Sequence, residues 1–160
     1  MRMIELSLVG VRVELPSNQP IVLLKESEGE RYLPIWIGAV EATAIAFALQ
    51  GIETPRPMTH DLMKDILGEV DVNVERILIS ELVDQTFYAT IRMHNGSGPV
   101  EVSSRPSDAI ALAVRLSTPI YAAEEVMEQA GIELRDDEET EVEKFREFLD
   151  QVSPEDFASG

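Results

Sequence analysis

The sequence predicts an α+β domain built on a mixed, largely antiparallel sheet with two strand-rich blocks and packed helices. Two separate regions alternate apolar and polar residues with a period of two. Within each region the alternating runs are split by hairpin-length turns rich in Gly, Pro, Asn and Asp. Each region is then followed by an alanine-rich stretch with helical character. Long hairpins of this kind disfavour a doubly wound parallel sheet.

The first strand covers residues 3–14, where Ile4, Leu6 and Leu8 give way to Val9, Val11 and Val13. That change of phase near Gly10 predicts a bulge or bend. Pro16 to Pro20 forms a turn, Ile21 to Leu24 a short strand, Ser27 to Glu30 a hairpin turn and Arg31 to Ile37 a third strand. Gly38 ends that strand. Ala39 to Gln50 is apolar almost all round, which predicts a helix buried on several sides, with Gly51 at its C′ position. Glu53 to Pro57 is a rigid connection. Thr59 reads as an N-cap and Asp61 as a first-turn acid of a helix reaching about Glu69. Val74 to Leu82 and Thr86 to Met93 are strands joined at Asp84-Gln85, and Val100 to Ser103 follows the Asn95–Gly98 turn. Pro106 starts a helix running to about Leu116. Pro119 to Tyr121 is extended, and Ala123 to Ala130 is a short helix closed by Gly131.

Residues 1–135 thus read as the folded domain and 136–160 as an acidic linker with an amphipathic tail helix. In that tail Val142, Phe145, Phe148, Leu149 and Val152 recur at helical spacing over residues 141–152. The tail holds ten acids and two bases, while residues 1–135 hold twenty acids and eleven bases. The net charge of -17 argues against an extended basic surface for nucleic acid. A compact arginine site, or a cation held by carboxylates, is still compatible with it. The chain has no cysteine, which excludes disulfides and thiolate metal sites. The N-terminus has no apolar signal core, and no run approaches the roughly 20 apolar residues of a membrane span. A cytoplasmic protein with no membrane association is the expectation.

Two polar clusters sit at predicted helix starts. In Pro55 to Asp61, Arg56 offers a planar fork for phosphate. His60 suits a general base or metal ligand, and Asp61 an oxygen ligand for Mg²⁺ or Mn²⁺. The plain alternative is a cap, a dipole partner and a packed histidine. In Ser103 to Asp108, Arg105 repeats the arginine, Ser107 is a possible nucleophile and Asp108 a second carboxylate. Ser107 would need His60 or His94 as its base, and no nucleophile-elbow motif surrounds it. A third cluster spans Leu33 to Gly38 with Glu41 after it. Trp36, the sole tryptophan, reads more readily as core than as a pocket wall. Phe87 and Tyr88 could stack a base, or could pack as core and half-exposed residues. Walker loops, dinucleotide fingerprints, zinc-protease motifs and EF-hand loops are absent.

Taken together and in order, Leu33 to Gly38 with Glu41-Ala42, Arg56-Pro57 with Thr59 to Leu62, Phe87 to Ala89, and Ser104 to Ala113 with Pro119 to Tyr121 resemble the bifunctional nuclease domain family. The resemblance covers about residues 3–135. The tail, with Phe145 to Leu149 and Ser153 to Phe157, resembles extensions on some bacterial members. The resemblance implies an α+β fold, an enzyme with DNase and RNase activity, DNA or RNA as substrate, and self-association, with a homodimer favoured. Site roles come from side-chain chemistry instead. His60, Asp61 and Asp108 are the expected catalytic residues, and Arg56, Arg105 and Ser107 the expected phosphate-binding ones. Glu41, Asp61 and Asp108 are the expected ligands of a divalent metal, Mg²⁺ or Mn²⁺, which would polarise the phosphate and activate water. The composite site requires the two helix starts to meet in space. The rival readings are a non-enzymatic regulatory or scaffold module, and a hydrolase of small phosphoesters.

Overall fold

A computed structural model describes residues 1–14 and 18–134, in which both strand blocks belong to one sheet. The elements run β1 (Met3–Glu14), β2 (Gln19–Glu26), β3 (Arg31–Trp36), α1 (Ala39–Leu49), α2 (Thr59–Glu69), β4 (Asn73–Val83), β5 (Thr86–Asn95), β6 (Gly98–Ser104), α3 (Pro106–Leu116), β7 (Ile120–Ala123), α4 (Glu124–Ala130) and β8 (Ile132–Glu133). The strand order is β6-β5-β4-β7-β1-β2-β3-β8. Each block is an antiparallel meander, and β7 joins them, antiparallel to β1 and parallel to β4. The sheet is therefore mixed and mostly antiparallel, as the hairpins predict. The predicted tail helix and the first two residues of the turn at Pro16 lie outside the described residues, and Gln19 and Pro20 of that turn belong to β2.

The change of phase in β1 is a register shift between Leu8 and Gly10 against β2. It lets one strand send Leu6 and Val11 into the core from either side of the irregularity. β2 buries Ile21, Val22, Leu23 and Leu24 in succession, so both of its faces are covered. One face belongs to the main core, and Leu23 joins Tyr32, Val9 and Leu134 in a small cluster. The main core unites Ile77 and Ile79 of β4, Ala89 and Ile91 of β5, and the apolar face of α3.

Three expectations need correction. Thr59 is the first helical residue of α2, and Met58 is its N-cap; Asp61 Oδ2 accepts the Met58 backbone N–H at 3.0 Å. The helix α1 is buried along Glu41, Ala42, Ile45 and Ala46, but Val40 and Leu49 are exposed. Its all-round apolar character thus overstates its burial. Trp36 is not core: it is 53% exposed at the end of β3. The pairing of β8 with Arg31 and Tyr32 was invisible in sequence, because two residues show no periodicity.

Candidate active site

The two clusters do meet, because alanine-rich α1 and α3 pack against each other and α2 packs on α3. Ala42 and Ala46 of α1 and Ala109 and Ala113 of α3 are all buried, and their small side chains allow close approach. Arg105, immediately before Pro106, is extended, as a residue preceding proline should be, and it is the N-cap of α3. Its guanidinium reaches Glu41 Oε1 at 2.6 Å and Asp108 Oδ2 at 2.9 Å. Asp108 Oδ1 lies 2.9 Å from His60 Nε2. A continuous chain, Glu41–Arg105–Asp108–His60, therefore links the starts of three helices.

Burial within this chain is graded. The His60 side chain is 5% exposed and that of Arg105 is 65% exposed, with Asp108 between them. Burial pushes the Asp108 carboxyl up, but hydrogen bonds from His60 and Arg105 outweigh it and hold the carboxyl below its ordinary value. An ionised carboxylate only accepts hydrogen bonds, so the proton in the pair sits on His60 Nε2. Contact with Asp108, and then with Glu41, raises the Arg105 guanidinium above its ordinary value.

Asp61 belongs to a different arrangement. Its Oδ1 accepts from Arg115 Nε at 2.6 Å. Arg115 also donates to the carbonyls of Ala111 at 2.8 Å and Ala44 at 3.0 Å. Burial raises the Asp61 carboxyl, while Arg115 and the Met58 N–H lower it further, and the net direction is down. Arg115 is the functional-looking residue that sequence reasoning missed; a basic residue in a helix's last turn reads as a dipole partner.

Beside Arg105 lies an open cleft of about 340 Å³, walled by the end of β3, the β4–β5 turn and the start of α3. Trp36, Phe87 and Ser107 line it with Arg105. Ser107 is buried, and His60 is hydrogen-bonded to Asp108 instead of to it. His94 is exposed on β5 and faces Glu75. No serine–histidine hydrogen bond that would form a triad is found among the described residues. Arg56 is exposed in the connection before α2, and no hydrogen bond or ion pair among the described residues joins it to the Arg105 chain.

Residues 22–135 match the family model of the bifunctional nuclease domain. The chain belongs to the bifunctional nuclease domain family. An uncharacterized protein of Mycobacterium tuberculosis is 48% identical over 162 residues, covering 96% of this chain and 97% of that protein. Bifunctional nuclease 1 of indica rice is 26% identical over 120 residues, covering 73% of this chain and 36% of the relative. Bifunctional nuclease 2 of Arabidopsis thaliana is 28% identical over 112 residues, covering 66% and 34%. The chain spans about a third of the plant relatives' length.

Within this domain, the expected metal ligands Glu41, Asp61 and Asp108 are not arranged as one ligand set. A hard divalent cation needs several oxygens directed at one point. Glu41 and Asp108 do converge, but on the Arg105 guanidinium, and both oxygens of Asp61 are engaged elsewhere. No three His, Asp or Glu side chains among the described residues are grouped to hold a metal ion. Among the same residues, no helix is long and apolar enough to cross a membrane.

Proposed function

We propose that this domain hydrolyses phosphodiester bonds of DNA and RNA at the cleft beside Arg105. The observation that carries the reading is the convergence of three helix starts in the Glu41–Arg105–Asp108–His60 chain, next to a cleft with an exposed tryptophan. The likeness to plant proteins named bifunctional nucleases supports the same substrate class. In this reading Arg105, the most exposed group of the chain, contacts a phosphate oxygen, and Asp108 holds the attacking water. Each carboxylate oxygen has two lone-pair directions, so Asp108 accepts from a water while keeping both protein partners. His60, almost fully buried, acts through Asp108 as a positioning residue. A carboxylate held below its ordinary value orients water better than it deprotonates it. Metal assistance is not built into these roles and is measured separately.

The test is cleavage of single-stranded DNA and RNA by purified protein in Mg²⁺, in Mn²⁺ and in EDTA, beside Arg105→Ala. Loss of one transition-state donor lowers such rates on the order of 10²-fold or more. Equal rates in the two proteins place the site elsewhere. No cleavage under any condition transfers the reading to a regulatory or scaffold module, which the net charge of -17 favours. The proposal also includes a homodimer. Met58, Leu62, Ile66 and Val70 form an exposed apolar row four residues apart along α2, a surface that a second copy would cover. Light scattering of the chain and of Leu62→Glu tests this, with a dimer expected for the first and a monomer for the second.

A further inference from the structure

We propose that the cleft is a subsite for one unpaired nucleotide of a strand, with Trp36 as the stacking platform for its base. This inference rests on the reading that the cleft takes nucleic acid, and it adds which form is taken. Trp36 lies between Ile35 and Ile37, both buried, yet it is itself 53% exposed. The core therefore makes little use of its ring, and no other tryptophan exists in the chain. Phe87 lines the same cleft and is half-buried against the main core, which fixes it as a rigid wall. Among these apolar surfaces stand few polar side chains: Gln19, Gln85, Thr86, Arg105 and the buried Ser107. A planar apolar ring, amides able to donate and accept, and a guanidinium match the base, the base edge and the phosphate of a nucleotide.

Size and backbone geometry point the same way. A cleft of about 340 Å³ is near the lower end of small-ligand pockets, roughly 300–1,000 Å³. It has room for one nucleotide. Gln85 is held at φ 63° with Asp84 at φ 49° in the two-residue turn between β4 and β5. Glycine and asparagine are the usual residues there. A glutamine occupies this position at the cleft despite the strain of a left-handed conformation.

The experiment reads Trp36 fluorescence directly, since no second tryptophan contributes. The full-length chain in EDTA is titrated with a single-stranded deoxythymidine decamer, with a decamer abasic at every position, with the duplex of the first with deoxyadenosine decamer, and with thymidine monophosphate. Binding of a labelled decamer to Trp36→Phe and Trp36→Ala is followed by anisotropy, and cleavage is assayed separately. Saturable quenching by the single strand is expected, at least tenfold weaker for the duplex and for the monophosphate. Binding falls about ten- to hundredfold in Trp36→Ala and less in Trp36→Phe. Equal affinity for the duplex, or for the decamer without bases, overturns the stacking subsite and leaves the nuclease reading standing. Monophosphate binding as tight as the decamer overturns the strand assignment in favour of a small-molecule pocket. Quenching by the decamer without any cleavage keeps the subsite and removes the nuclease activity. Neither binding nor cleavage removes both.

Discussion

At the residue scale, the two aspartates that look alike in sequence do different work. Each follows a helix start and reads as a first-turn acid or a metal ligand. In the fold, Asp108 is bound to Arg105, which lines the cleft, while Asp61 is bound to Arg115, whose side chain is 8% exposed. Arg115 joins α1, α2 and α3 through one carboxylate and two carbonyls. Replacing it by alanine leaves Asp61 and two carbonyls without that donor. We expect Arg115→Ala to cost about 1–3 kcal/mol in urea unfolding, because two carbonyls lose a donor while the part-exposed Asp61 stays solvated; a loss below about 0.5 kcal/mol would remove its structural role. The pH dependence has a definite sign. Both aspartates are held below their ordinary value, so they contribute stability above the unfolded-state pKa, near 3.9, and lose it as pH falls through the folded value. The acid limb of stability against pH should be shallower in Asp61→Asn than in the parent, and parallel limbs would contradict the assignment. The sequence named His60, Arg105 and Asp108 because charged groups at helix starts are chemically conspicuous. It could not separate Asp61 from them, since the partner that claims Asp61 is 54 residues away.

At the scale of elements, period-two alternation located β1, β4 and β5, a short apolar run located β2, and turn residues located the hairpins that lead into β3 and β6. Those signals are local, so they survive without knowledge of the fold. Which meander lies beside which depends on β7, four residues long, and no local signal gives its two partners. The exposure of Trp36 was missed for the same reason: an apolar strand is apolar whether or not its last residue meets a packing partner. The turn at Asp84-Gln85 yields a prediction at this scale. Gln85→Gly relieves the left-handed strain at φ 63° and should stabilise the hairpin by about 0.5–1 kcal/mol in urea unfolding. The same change should weaken single-strand binding, because it removes an amide from the cleft. A stabilised variant that binds as tightly as the parent would separate that amide from recognition. Gly131 constrains its turn by space, not by φ: an added Cβ would lie 2.5 Å from the Met127 carbonyl oxygen, so the end of α4 tolerates no larger residue without moving backbone.

At the scale of the whole molecule, a net charge of -17 and a near-neutral site must coexist with a polyanionic substrate. The site meets this by confining positive charge to Arg105, held between two carboxylates. Few phosphates are then neutralised, and single-strand affinity should fall with salt at a log–log slope of only about -1 to -2. A slope of about -5 or steeper would require a basic surface that the described residues do not present. The central claim is that chemistry runs through Asp108 and not through Asp61. Its most direct test compares single-strand cleavage rates of Asp108→Asn and Asp61→Asn, each assayed below its own unfolding temperature. The account predicts that Asp108→Asn loses on the order of 10²-fold in rate while the folded Asp61→Asn keeps most of its activity. Equal loss in both, or loss in Asp61→Asn alone, would contradict it and return Asp61 to the active site.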